Sequence, residues 1–356
     1  MTIRKQSLSI GLIIMMLVLA ACGGNNAGSN GAPNNSNTGN AGGQNEAVQE
    51  PAENNTLAGN NGPNNGPITI NTVKGEVTLD KPAERIVSLE WTYTEDLLAV
   101  GVQPVGHADI EGYKNWYSIP QELSAEVTDV GTRQEPNLEL ITSLSPDLII
   151  VPDYRSAANY DQLAAIAPTI VFGPYPAEDA GYDQYEEMES TFREIAKAVG
   201  KEAEAEQVLA NMQEAFAAAA DKIKAAGKEG HKVVLTQAWS TNNVPEFRLF
   251  TDNSLAAQIL EKIGLENAWE SDKFEVYGFS TNSVEALSKI EDASLLHMVQ
   301  DEDNIFENQL KDNAVWNAYP FVKEGRVYAL GGDTWPFGGP LAAEVFAAKT
   351  ADLLSQ

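Results

Sequence analysis

The stretch from Lys201 to Ala226 constrains the fold most. It is rich in Ala, Glu and Lys, contains no Gly or Pro, and is bounded by Gly200 and Gly227. That composition predicts one long helix. Val208, Met212, Phe216 and Ile223 fall near one face, the stripe of a helix packed on one side. Gln184 to Val199 predicts a second helix just before it. On both sides the chain alternates β-branched runs with helical segments, which predicts an α/β fold with mainly parallel sheets. In the first block, strands are expected at 85–89, 102–105, 148–151 and 169–172, and helices at 93–100, 137–144 and 160–167. In the second block, strands are expected at 233–236, 247–250 and 326–330, and helices at 254–263 and 341–354. Two such blocks joined by one rigid helix predict two lobes at a nearly fixed distance, with a ligand cleft between them. The expected division is a first lobe over 67–200, a connecting helix over 201–227 and a second lobe over 228–356. That length suffices for two domains of average size.

The N-terminus reads as an export signal. Arg4 and Lys5 precede an apolar run from Leu8 to Ala21. The run is short of the about 20 apolar residues a spanning helix needs, and it matches a signal-peptide core. It ends in Leu19-Ala20-Ala21-Cys22, which looks like a lipoprotein cleavage and acylation site. Residues 1–21 are therefore expected to be a signal peptide and Cys22 the lipidation site. Cys22 is the sole cysteine, so no disulfide within the chain is expected. Residues 22–66 are dominated by Asn, Gly, Ala and Pro and predict a disordered tether.

The net charge of −28 argues against nucleic acid as a partner and against direct docking on an anionic membrane. Membrane attachment is expected through the lipid anchor only. No catalytic constellation stands out, so an enzyme is not expected. There is no Gly-rich phosphate loop after a strand and no Gly-x-Ser-x-Gly elbow. His107, His231 and His297 are scattered, with no metal-ligand spacing, and no metal site is expected.

Aromatic and cationic residues instead fall at loop-like positions. Trp91 and Tyr93 follow the first strand, and Tyr113, Trp116 and Tyr117 lie in the next connection. Arg133 sits in a Gly-containing turn, Val130 to Pro136, and Tyr154 and Arg155 follow the strand ending at Val151. Trp239, Arg248, Tyr277, Trp335 and Phe337 take similar places in the second block. Ligands of open α/β sheets bind outside the carboxyl ends of the strands. Aromatic faces with a few arginine forks suit a mixed ligand carrying oxygen acceptors. Each aromatic taken singly also fits core packing; Arg133 does not. A further pattern repeats: Asn137 with Glu139, then Ser283 with Glu285, each opening a short helix before a strand. Helix capping explains it as it stands.

The body, from about Ile68 to Gln356, resembles the iron–siderophore and cobalamin class of substrate-binding proteins of ABC importers, in its ferric hydroxamate and ferric citrate branches. The likeness rests on Arg85-Ile-Val-Ser-Leu89, Leu97 to Gly106, Val130-Gly-Thr-Arg-Gln-Glu-Pro136 with Leu144-Ser-Pro-Asp147, Trp316 to Tyr328, and Trp335 to Ala343. The resemblance implies that Arg133 contacts the iron-coordinating oxygens of a siderophore. It places Trp116 near an aromatic ligand contact. The ligand tyrosine of the hydroxamate branch falls on Arg155, with Tyr154 beside it. Tyr277 stands where that branch has a tryptophan, and Trp335 and Phe337 match its C-terminal aromatics. Glu139 and Glu285 match the glutamates that dock on permease arginines. The implied function is capture of a ferric siderophore by a monomeric lipoprotein on the outer face of a Gram-positive cell membrane. Delivery would be to an ABC permease with a cytoplasmic ATPase. The iron chelate would be cargo, and no cofactor of the protein's own is expected. Cobalamin or haem as ligand, or ligand sensing without transport, are the alternatives.

Overall fold

The computed structural model describes residues 66–290 and 292–356. The expected signal peptide, the expected lipidation site Cys22 and the expected tether up to residue 65 lie outside the described residues. The described chain opens on a hairpin, β1 (Ile68–Thr72) and β2 (Gly75–Leu79). A first lobe follows: β3 (Ile86–Ser88), α1 (Trp91–Ala99), β4 (Gly106–His107), α2 (Ile110–Trp116), β5 (Thr128–Asp129), α3 (Leu138–Ser143), β6 (Leu148–Pro152), α4 (Asp153–Ser156), α5 (Tyr160–Ala164) and β7 (Thr169–Phe172). Helices α6 (Gln184–Ala198) and α7 (Glu202–Ala225) come next. The second lobe holds β8 (Lys232–Thr241), β9 (Val244–Phe250), α8 (Leu255–Lys262), β10 (Glu266–Asn267), β11 (Phe279–Asn282), β12 (Ser294–Met298), α9 (Pro320–Lys323), β13 (Val327–Ala329) and α10 (Pro340–Leu354).

The first sheet runs β5-β4-β3-β6-β7 and is parallel throughout. Strands β6 and β7 are buried at every position, as expected of parallel strands covered on both faces. The second sheet runs β11-β9-β8-β12-β13, with β10 on β8. It is mixed rather than mainly parallel, because β8, β9 and β11 pair antiparallel. The cause is local. Asn242 and Asn243 both adopt positive φ, 51° and 65°, which makes the two-residue turn that folds β8 back on β9.

The expected strand at 102–105 is absent. Pro104 supplies no N–H to a ladder, and pairing begins two residues later at Gly106. Trp91 and Tyr93 lie in α1, Trp116 ends α2, and Trp239 and Arg248 lie on β8 and β9, so none of these occupies a loop.

Helix α6 starts on a capping box between Asp183 and Glu186, and Gly200 (φ 68°) follows it. In α7 the buried stripe is Ala205, Leu209, Met212, Phe216, Ala219 and Ile223, at spacings of four and three. Leu209 therefore takes the inward position expected of Val208, which is half-buried at the edge. Helix α7 packs on α10, α6 and α8, whereas α6 packs on α1 and β1 as well as on α8. The link between lobes is thus a helix pair, with α6 touching both sides. One apolar core runs through it, from Ile86, Leu97 and Ile150 past Phe192 and Phe216 to Val233, Leu235 and Phe346. A shared close-packed core opposes large hinge motion.

The repeated capping pattern survives only in part. Asn137 caps α3 by accepting from Leu140 N–H at 3.0 Å. Its counterpart, Val284–Lys289, is a 3₁₀ helix, and Ser283 turns its hydroxyl onto the Glu285 carboxylate at 2.5 Å. Both segments lead into a strand buried at every position, β6 and β12. Among the described residues no helix is long and apolar enough to cross a membrane.

Candidate functional site: a cleft walled by three arginines

The carboxyl ends of β3, β6 and β7 face a cavity of about 520 Å³, closed on the other side by β9, β11 and the segment before α10. That volume is in the range of small-ligand pockets. Seven expected ligand residues line it: Arg133, Tyr154, Arg155, Arg248, Tyr277, Trp335 and Phe337. Each is delivered by a local turn or strand end. Gly131 adopts φ 98° directly after β5, and its N–H is held by Asp129 Oδ1 at 2.9 Å. Pro136 then bridges back to Gly131, so the turn projects Arg133 between them. Helix α4 starts at the end of β6 and brings Tyr154 and Arg155 to the same wall.

The floor carries a residue that the sequence reading missed. Glu90 follows β3, is 5% exposed, and lines the cavity. Its Oε1 accepts from Arg133 Nη1 at 2.7 Å and from Trp91 N–H at 2.9 Å. Its Oε2 accepts from the Tyr154 hydroxyl at 3.0 Å and lies 3.0 Å from Arg155 Nε. Burial alone would lower the Arg155 pKa; Glu90 and Tyr154 outweigh it and hold the guanidinium above its ordinary value. Among the described residues Arg248 has no carboxylate partner. Its Nη1 donates to Gln237 Oε1 at 2.8 Å, its guanidinium lies 4.1 Å from the centre of the Phe279 ring, and burial lowers its pKa. Among the described residues the Nε–H groups of Arg133 and Arg248 are buried without a hydrogen-bond partner, as is the indole N–H of Trp335, although Asp109 Oδ2 lies 3.8 Å from Arg133 Nε. Unsatisfied buried donors are costly and mark positions where an acceptor belongs.

Three expected ligand residues stand behind the wall. Trp91 is 3% exposed and lies under Arg133, whose guanidinium sits 3.4 Å from its ring centre. Trp116 packs edge-on against Trp335 at 5.5 Å, and Trp239 lies 5.3 Å from the Arg248 guanidinium. None of the three lines the cavity. They orient the residues that do. Tyr175 and Phe279 line it and were not anticipated. Tyr175 bridges Tyr154 and Tyr277, at ring separations of 5.3 and 5.0 Å, and burial pushes its hydroxyl pKa up to about 12. It follows β7 in Gly173-Pro174-Tyr175, so the strand-end rule that found the others applied to it too. His107, His231 and His297 do not line the cleft. Burial pushes His107 and His297 down to about 4.

The last wall is pinned by α1. Thr92 Oγ1 donates to the Phe337 carbonyl at 2.7 Å. Glu95, fully buried, accepts the N–H groups of Gly339 and Ala342 at 2.7 Å each, at the start of α10. A Cβ on Gly338 or Gly339 would collide with Glu95 or Asp96, so only glycine allows this approach. Burial raises the Glu95 pKa to about 7 despite those donors, and it raises Glu187 to about 7 as well. The sign for stability follows from linkage. Between the ordinary value of 4.5 and about 7, the folded chain keeps protons that the unfolded chain releases. These two carboxyls therefore contribute stability that is lost as pH rises through that window, whereas His107 and His297, held low by burial, contribute in the opposite sense between about 4 and 6.5. The difference between the wild-type chain and Glu95→Gln isolates Glu95: in urea unfolding the variant is expected to gain on the wild type as pH rises from 4.5 to about 7, and a difference that does not change with pH would contradict the assignment.

The comparisons with known proteins agree with this geometry. Residues 86–334 match the model of the periplasmic binding protein family, and the chain belongs to that family. Its members are substrate-binding proteins, not enzymes. The chain is 33% identical to the Fe(3+)-citrate-binding protein YfmC of Bacillus subtilis, over 78% of this chain and 83% of that one. It is 31% identical to the iron(3+)-hydroxamate-binding protein FhuD of Escherichia coli, over 74% and 84%. Among solved structures, the Fe3+–Desferal-bound FhuD of Vibrio cholerae superposes with a TM-score of 0.69 at 28% identity, covering 76% of this chain and 98% of that one.

Proposed function

We propose that this protein captures a ferric siderophore of hydroxamate or citrate type and passes it to an ABC permease driven by a cytoplasmic ATPase. The observation that carries this reading is the arginine wall. Three of the seven arginines in a chain of net charge −28 meet in one cavity, where Glu90 pairs with two of them and Asp109 lies 3.8 Å from Arg133. Such a site attracts an anionic or oxygen-rich ligand and excludes a cationic metal in free form. Among the described residues no group of three or more His, Cys, Asp or Glu is placed to hold a metal ion. The iron is read as cargo, arriving already chelated. Ligand oxygens take N–H groups of Arg133 and Arg248 that lack an acceptor, with Arg155 adding its charge, while Tyr175, Tyr277, Phe279 and Phe337 cover the organic part. The names of the relatives YfmC and FhuD support the ligand class.

Mass spectrometry of the protein isolated from iron-starved cells is expected to show a bound ferric chelate; haem or cobalamin in its place would overturn the reading. Arg133→Ala should weaken binding by about 1.5–3 kcal/mol, the loss of a charge-assisted hydrogen bond, in a calorimetric titration. Unchanged affinity would remove Arg133 from the ligand's contacts.

Anchoring at Cys22, on the outer face of a Gram-positive membrane with the protein acting as a monomer, belongs to the same reading. The lipoprotein names of two Bacillus subtilis relatives, YhfQ and YfiY, support it. Cys22→Ser is expected to move the protein from the membrane fraction to the medium, and retention on the membrane would contradict the anchor.

A further inference from the structure

The same cavity is lined by acidic residues that the capture of a ferric chelate does not use. Asp96, on α1, and Glu187, on α6, both line it. Asp96 is 1% exposed, and its Oδ1 has no hydrogen-bond partner. The Tyr93 hydroxyl, on the preceding turn of the same cavity wall, is equally without a partner and 2% exposed. Glu187 is 9% exposed and accepts only from Thr191 Oγ1, at 2.5 Å. Gln184, the nearby amide on this wall, is fully occupied elsewhere: it donates to the Val276 carbonyl and accepts from Leu255 N–H. Among the described residues no Lys or Arg forms an ion pair with Asp96 or Glu187. Two carboxylates and a phenol thus line one cavity with acceptors to spare, and among the described residues no cation pairs with either acid.

Buried carboxylates without a counter-charge are expensive and are retained where a ligand supplies the charge. A primary ammonium fits the arrangement. It brings one positive charge and three N–H donors, against the oxygens of Asp96, Glu187 and Tyr93. Met188 and Leu255 also line the cavity and suit an alkyl stem leading to such a head group.

We propose that Asp96, Glu187 and Tyr93 form a cation subsite of the cleft, and that the preferred cargo is a ferric chelate whose organic periphery ends in a protonated amine. This rests on the ferric-chelate reading of the cleft and narrows it to a ligand with two poles: oxygens for the arginines and an ammonium for the acids.

The test uses the whole chain and a pair of ligands. Fe(III)–Desferal carries a free primary amine, and its N-acetylated form has the same iron centre without the charge. Calorimetry is expected to show the amine form binding about tenfold tighter or more, the scale of a charge-assisted hydrogen bond. In Asp96→Asn and in Glu187→Gln the preference is expected to shrink to within about twofold, on the same scale. Because the main comparison changes the ligand and not the protein, it does not depend on the variants folding. Equal affinity of the wild-type chain for both forms overturns the subsite and leaves the capture reading standing. Binding of ferric citrate with neither Desferal form recognised does the same. Failure to bind any of the three overturns both.

Discussion

Glu90→Ala is expected to cost about 3–5 kcal/mol of folding stability, the scale for breaking a buried ion pair by removing one partner. The Glu90 side chain is 7% exposed, and those of Arg133 and Arg155 are 12% and 20% exposed. Both arginines converge on this one carboxylate, and Tyr154 donates to it as well. Without it, two largely buried guanidinium groups lose their shared counter-charge, and Asp109, 3.8 Å from Arg133 Nε, is left to offset one of them. The N-terminus of α1 also loses the oxygen that accepts from Trp91 N–H. Glu90→Gln keeps the shape and one acceptor, so its loss should be smaller. Removing Arg133 should be milder too, because Arg155 and Tyr154 still hold the Glu90 carboxylate. Urea unfolding followed by circular dichroism measures all three. A saturating anionic ferric chelate should recover much of the loss in Glu90→Ala, since a ligand bound only to the folded chain adds stability by mass action. An unchanged midpoint for Glu90→Ala would show that the arginines are neutralised by something else.

The second large effect concerns delivery. Reversing both Glu139 and Glu285 to lysine should lower iron uptake about 100-fold while leaving ligand affinity within about twofold, because like charges across an interface cost several kcal/mol. Both glutamates are exposed, and neither lines the cleft. The Ser283 hydroxyl holds the Glu285 carboxyl below its ordinary range, so its charge persists at neutral pH. The two short helical segments differ in kind, α-helical at Glu139 and 3₁₀ at Glu285. What they share is an exposed acid in the first turn before a buried strand, one in each lobe. Radiolabelled iron uptake in a strain carrying only the double variant is the measurement. Normal uptake would return both residues to a capping role.

Much of the architecture was legible because it rests on periodicity. The alternation of strand and helix and the 3.6-residue stripe of α7 are properties of neighbouring residues. The hairpin of β1 and β2 is legible in principle, since Ile68 and Ile70 face Leu79 and Val77 across the two-residue turn Val73-Lys74. The strand-end rule found seven cleft residues and would have found Tyr175. It failed for Trp239 because β8 runs on to Thr241, beyond the short β-branched core that marks it. The charges were the least legible. Glu90 meets Arg133 and Arg155, which are 43 and 65 positions away, and no local signal announces such a pair. Asp96 and Glu187 read as ordinary polar positions on amphipathic helices. Their burial depends on tertiary neighbours: Gly339, before α10, lies against Asp96, and Glu187 shares a groove with Val73, Phe172 and Gly173.

The central claim is that this cleft binds a ferric chelate through its arginine wall. Titration of intrinsic tryptophan fluorescence tests it most directly, because Trp335 lines the cavity and Trp91 lies under Arg133. Ferric hydroxamate or ferric citrate complexes should quench the emission saturably at one ligand per chain, and the iron-free ligands should not. No saturable quenching by any complex of either class would contradict the account.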